Sequence, residues 1–113
     1  MRFQIHSPVA ADHETVFAGF TDELFLKLAP PFPPVRLLRF DGCKTGDEVH
    51  VELNLLGLRQ LWISDIVEDG SGDDEIYFID EGRKLPFFLK YWRHQHRILR
   101  RDGGALIIDD IEF

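Results

Sequence analysis

The spacing of hydrophobic residues changes along the chain. Phe3 and Ile5 alternate with polar neighbours and predict a short strand over Arg2–His6, which Ser7-Pro8 ends. Ala11, Val16, Phe17 and Phe20 then recur near helical spacing. Asp12 stands where an N-cap belongs, and Thr15 takes the place of a capping-box glutamate, so the start signal is partial. Thr21-Asp22 reads as a break. Leu24, Phe25 and Leu28 form one face of a second short helix over Glu23–Leu28. Ala29-Pro30-Pro31-Phe32-Pro33-Pro34 excludes helix, because proline fixes φ and turns its predecessor away from the helical region. That stretch reads as a stiff connector.

From Val35 onward the period is two. Strands are predicted over Val35–Phe40, Glu48–Leu55, Leu58–Glu68 and Glu75–Asp80. Val49, Val51, Leu53 and Leu55 face one way, and His50, Glu52 and Asn54 the other. Trp62, Ser64 and Ile66 oppose Leu61, Ile63, Asp65 and Val67. Asp41-Gly42, Leu56-Gly57, the acidic run Asp69–Asp74 and the segment Glu81–Pro86 read as turns or loops. The last stretch, Lys90–Phe113, is a hairpin. A strand rich in aromatic and basic residues leads through the turn Asp102-Gly103-Gly104 to an apolar strand with acidic residues set into it. One strand, two helices and six strands joined by short turns give an α+β domain with an antiparallel meander.

Composition narrows the function. The 113 residues suffice for one domain. The formal net charge of −7 argues against general nucleic-acid binding and against docking on an anionic membrane. Cys43 is the single cysteine, which excludes an internal disulfide and a cysteine-cluster metal site. The N-terminus lacks a signal peptide's basic region and long apolar core. No apolar run approaches the roughly 20 residues of a membrane span. A cytoplasmic location is expected.

Candidate chemistry gathers on the terminal hairpin. Trp92, His94, His96 and Ile98 share a strand face. A His-x-His pair can place two imidazoles on one metal, with a third ligand from Asp109, Asp110 or His50. No third histidine stands at diagnostic spacing, so no metal centre is predicted. The pair is expected instead to hydrogen-bond to its neighbours or to the aspartates across the hairpin, at roughly 0.2–1 kcal/mol per pair. Asp109 shares a face with Ile107, Ile111 and Phe113, Asp110 with Leu106 and Ile108. Both faces are mostly apolar, so alternation does not decide which aspartate points inward. One of them is expected to pair with Arg93, Arg97 or a histidine. Arg93 and Arg97 read as a solvated outer face, and Cys43 as an ordinary turn residue. Ten phenylalanines are many for this length, and Phe17, Phe20, Phe40, Trp62, Phe78, Phe88, Tyr91, Trp92 and Phe113 are available to fill a core or line a pocket.

The whole pattern resembles the SRPBCC superfamily, the START and pollen-allergen-like helix-grip fold. His6-Ser7-Pro8-Val9-Ala10-Ala11 through Val16-Phe17 is similar to that family's strand-to-helix junction. Asp80-Glu81-Gly82 with Pro86-Phe87 is similar to a segment of its cyclase/dehydrase-like and ligand-binding branch. Trp92-Arg93-His94-Gln95-His96, Gly103-Gly104 and Asp109-Asp110-Ile111-Glu112-Phe113 resemble that branch's final hairpin. The resemblance implies a cavity between sheet and helices for a small hydrophobic ligand, such as a lipid, polyketide or sterol. Pocket contacts would come from Phe17, Phe20, Trp62, Phe78, Trp92, His94, His96, Asp109 and Phe113, with no cofactor and no catalytic residue. Two alternatives stand beside non-catalytic binding. One is a polyketide cyclase or dehydratase-like enzyme using pocket histidine and aspartate. The other is a regulatory or assembly module. Family members continue past the last strand into a long helix that grips the sheet, whereas this sequence stops at Phe113. Either the sequence is a truncated piece, or a partner helix or a second protomer is expected to cover the sheet.

Overall fold

Strict alternation over the C-terminal two thirds builds one antiparallel sheet. In a computed structural model, which describes residues 1–20, 35–86 and 89–113, the elements are β1 (Arg2–Val9), α1 (His13–Ala18), β2 (Val35–Phe40), β3 (Glu48–Leu55), β4 (Leu58–Ser71), β5 (Glu75–Lys84), β6 (Arg93–Arg101) and β7 (Gly104–Glu112). The seven strands are ordered β1-β7-β6-β5-β4-β3-β2. The six-strand meander is thus as expected, and β1 closes onto the last strand. Described residues hold one short helix, not two. The expected second helix over Glu23–Leu28 and the proline connector lie outside the described residues.

Asp12 caps α1 as its position predicts. Its Oδ1 accepts from the Thr15 backbone N–H at 2.8 Å and its Oδ2 from the Thr15 hydroxyl at 2.9 Å. The helix packs on β5, β6 and β7. Buried His13 donates to the Gly72 carbonyl at 3.4 Å and ties its start to the β4–β5 turn. Phe17 and Phe20 at its end meet Phe78 edge-on, with centroids 6.2 and 5.7 Å apart. Beneath them lie Ile76, Phe78, Ile98 and Ala105, all buried; Ile98 has no exposed surface. The other face of the sheet carries buried Ile79 and Ile108 among ion pairs, Arg97–Glu75 at 2.6 Å and Arg93–Glu81 at 3.2 Å.

Three strands outrun their predicted ends. Ser7-Pro8 does not stop β1, because β1 is an edge strand and an edge tolerates a residue without N–H. Strand β4 continues through Asp69-Gly70-Ser71, and β5 through Glu81–Lys84. Gly70 and Gly82 are therefore not turn residues. Both mark close approach: a Cβ on Gly70 would stand 2.6 Å from the Tyr77 ring across the pair, and one on Gly82 would strike Leu85 and crowd Trp92. Register shifts between Ile63 and Ser64 and between Ile66 and Glu68 let β4 bend along its length, as bulges do. Val67, read as continuing the alternation, falls at the second shift and is exposed. Among the described residues, no helix is long and apolar enough to cross a membrane.

Candidate functional site

Register decides which polar side chains meet. On β6, His94 pairs with Asp80 of β5 and Ile111 of β7, and His96 with Phe78 and Asp109. Cross-strand partners share a face, so Asp80, His94, His96 and Asp109 converge on the face that α1 covers. His94 Nε2 donates to Asp109 Oδ1 at 2.9 Å. His96 Nε2 donates to Asp80 Oδ2 at 2.8 Å. The remaining ring nitrogens face the opposite carboxylates, His94 Nδ1 at 3.9 Å from Asp80 and His96 Nδ1 at 3.6 Å from Asp109. Two imidazoles, stacked with centroids 3.5 Å apart, thus lie between two carboxylates.

Aromatic rings enclose this cluster. Phe78 stacks on His96 at 4.2 Å, and Phe20 meets the same ring edge-on at 6.3 Å. Trp92 lies edge-on to His94 at 5.9 Å and to Trp62 at 4.9 Å. The Trp92 indole N–H donates to Asp80 Oδ1 at 3.0 Å, and that of Trp62 to the Ser64 hydroxyl at 2.9 Å. Side chains of both histidines remain 16% exposed, Asp80 14% and Asp109 25%. Burial pushes the His96 ring below the ordinary histidine range, with the nearby His94 charge acting the same way and the Asp80 hydrogen bond opposing. Burial pushes the Asp109 carboxyl up, but the His94 hydrogen bond and the charges of both histidines outweigh it, and its pKa falls.

Seven of the residues expected from sequence therefore meet: Phe17, Phe20, Phe78, Trp92, His94, His96 and Asp109. Trp62 joins them through Trp92. Phe113 does not; its ring sits on Phe3 at the β1 edge, 5.9 Å away, and is 40% exposed. Of the wider aromatic set, Tyr91 is exposed, and Phe88 lies outside the described residues.

Asp109, not Asp110, points to the histidines. Asp110 takes the opposite face and pairs with Arg2 of β1, while the expected pairing of one aspartate with a basic residue of β6 is made by Asp109 with His94. His50 bonds to Glu48 at 2.9 Å on the outer face of β3, so it is no third ligand. Asp80 was missed. Its signal was the alternation Ile76-x-Phe78-x-Asp80, which puts a carboxylate on an otherwise apolar face. Burial first, then the Asp47 and Asp80 charges, push the Cys43 thiol up to about 11, which excludes a reactive thiolate there. An open cleft of ≈ 450 Å³ lies at the other end of α1, lined by charged groups including Asp12, Asp73 and Arg100.

No family model matches the chain, and no curated protein matches it in sequence. Solved structures do match its fold. Protein CV1439 from Chromobacterium violaceum superposes with a TM-score of 0.69 at 18% identity, over 99% of this chain and 78% of that one. Protein Ms6760 from Mycobacterium smegmatis gives 0.68 at 16% identity, over 99% and 71%. Ara h 8.0201, a helix-grip protein, gives 0.64 at 17% identity, over 98% and 75%. The chain accordingly has a helix-grip-like fold. At these identities the likeness concerns fold alone.

Proposed function

We propose that the α1-covered face of the sheet binds a small hydrophobic ligand, lipid, polyketide or sterol-like, and releases it unchanged. The observation that carries this reading is the arrangement around His96. Phe20, Phe78 and Trp92 surround one compact polar cluster, and small-molecule sites combine an apolar lining with a few fixed polar groups in this way. The rings take the ligand's apolar body, and His94, His96, Asp80 and Asp109 take its polar group. Trp62 and Trp92, the only tryptophans in the chain, report on binding directly.

Titration of chelator-treated protein with palmitate and with anilinonaphthalene sulfonate tests the reading. A saturable one-to-one change in tryptophan fluorescence is expected. Phe20→Asp should weaken it by about 10-fold or more, the worth of one buried aromatic contact, while thermal unfolding stays cooperative. Absence of saturable binding by either probe, or binding indifferent to Phe20→Asp, would refute it.

His96 favours a second reading. A histidine pushed towards neutrality by burial and hydrogen-bonded to a carboxylate is equipped to accept and return a proton. An enzyme of cyclase or dehydratase type would use it in that way. The two readings separate on the bound molecule. Recovery of the ligand unchanged after long incubation supports binding alone, and a product lighter by one water supports catalysis.

A further inference from the structure

Sequence spacing offers the two histidines no third histidine, but the fold brings a carboxylate from β5. Asp80, His94 and His96 each present a donor atom, all within 4.8 Å of one another. Asp80 Oδ2 is 2.8 Å from His96 Nε2 and 3.9 Å from His94 Nδ1. A metal held tetrahedrally at about 2.0–2.2 Å by nitrogen and oxygen ligands needs donors roughly 3.3–3.6 Å apart, and the two observed separations bracket that span. We propose that Asp80, His94 and His96 bind one divalent transition-metal ion as a two-histidine, one-carboxylate set.

The atoms behind the three donors carry the argument further. When His94 binds through Nδ1, its Nε2–H already donates to Asp109 at 2.9 Å. When Asp80 binds through Oδ2, its Oδ1 already accepts the Trp92 indole N–H at 3.0 Å. When His96 binds through Nε2, its proton moves to Nδ1, which faces Asp109 at 3.6 Å. Two of the three ligands thus have a hydrogen-bond partner for the far atom and the third faces a carboxylate, the outer-shell arrangement that orients metal ligands and fixes histidine tautomers. Asp109 and Trp92 are positioning residues in this scheme.

Charge points the same way. With neutral imidazoles the cluster carries two negative charges. Among the described residues no lysine or arginine pairs with Asp80 or Asp109, since Arg2, Arg93 and Arg97 are held by acids on the opposite face. One divalent cation balances the two carboxylates. Imidazole with carboxylate suits zinc, iron, cobalt or manganese better than calcium or magnesium, which favour all-oxygen shells. Three protein ligands leave coordination positions open, and only the identity of what fills them rests on the ligand-binding reading above.

The test uses metal alone, without organic ligand, on the full chain freed of metal by chelator, so that its outcome is independent of the lipid titration. One equivalent of Co²⁺ should bind with micromolar affinity or better and produce visible ligand-field bands, and Zn²⁺ should displace it. Asp80→Ala and His96→Ala should abolish binding at micromolar metal. Asp109→Asn should weaken it about 10–100-fold, as loss of an outer-shell partner does, with the band positions kept. His50→Ala should change nothing. Imidazole nitrogen NMR of the unmodified protein avoids dependence on variants that fail to fold: Zn²⁺ should shift His94 and His96 and leave His6, His13 and His50 in place. No binding at micromolar metal, binding that survives Asp80→Ala and His96→Ala, or zinc shifts confined to the other histidines would overturn the proposal.

Discussion

Asp110→Asn tests how the first strand is held to the last. Arg2 Nε donates to Asp110 Oδ1 at 2.9 Å and its terminal nitrogen to Oδ2 at 2.6 Å, while the Gln4 amide adds a third bond at 3.0 Å. The Arg2 hydrogen bond is the main reason the Asp110 carboxyl is lowered from 3.8 to about 2. At about 1.36 kcal/mol per unit that displacement corresponds to about 2.4 kcal/mol as an upper bound. The Arg2 side chain is 60% exposed, so screening by water reduces the figure to about 1 kcal/mol. The sign follows from linkage. Between pH 3.8 and about 2 the unfolded chain binds a proton that the folded chain refuses, so stability falls as pH falls. Above pH 3.8 the contribution is complete. Urea unfolding of both proteins at neutral pH and near pH 2 measures it. At neutral pH the variant should be weaker by about 1 kcal/mol, with a melting temperature lower by about 4–8 °C. Near pH 2 the gap should shrink to a fraction of that. Equal stability at neutral pH, or a gap that stays constant into acid, would refute the reasoning.

Three further outcomes follow from burial and close approach. Ile98→Ala empties a fully buried position of the core and should cost about 2–4 kcal/mol by chemical denaturation with an unchanged m-value. Gly104→Ala would drive its Cβ into the Val9 carbonyl, forcing β1 from β7 at a cost of about 1–3 kcal/mol, and amide exchange should rise along β1 before β3. Cys43, with its pKa at about 11 against an ordinary 9.0, should react with iodoacetamide at neutral pH about 100-fold more slowly than a free thiol, and free-thiol rates would contradict its burial.

The sheet was legible because alternation is a local signal. Val49-Val51-Leu53-Leu55 and Trp62-Ser64-Ile66 face as their spacing says, and Asp102-Gly103 turns the last hairpin. Strand ends were less legible, because a glycine in a strand resembles a glycine in a turn until its neighbour is known. Gly82 illustrates the consequence. Reading Glu81–Pro86 as a turn removed the residues needed to count register between β5 and β6, and with that count went the pairing of Asp80 with His94. The choice between Asp109 and Asp110 was closed for a similar reason. Both faces of β7 are apolar, and only the histidines of β6 on one side and Arg2 of β1 on the other distinguish them. Three of the four residues of the polar cluster, His94, His96 and Asp109, were therefore expected from the terminal hairpin, and the fourth, Asp80, depended on the register between β5 and β6.

Native mass spectrometry of the protein purified from its own source bears most directly on the central claim that the α1-covered face is a ligand site. The account predicts polypeptide carrying one apolar molecule of a few hundred daltons, released on collisional activation and lost in Phe20→Asp. Bare polypeptide in both proteins, with no uptake of palmitate added before spraying, would contradict it.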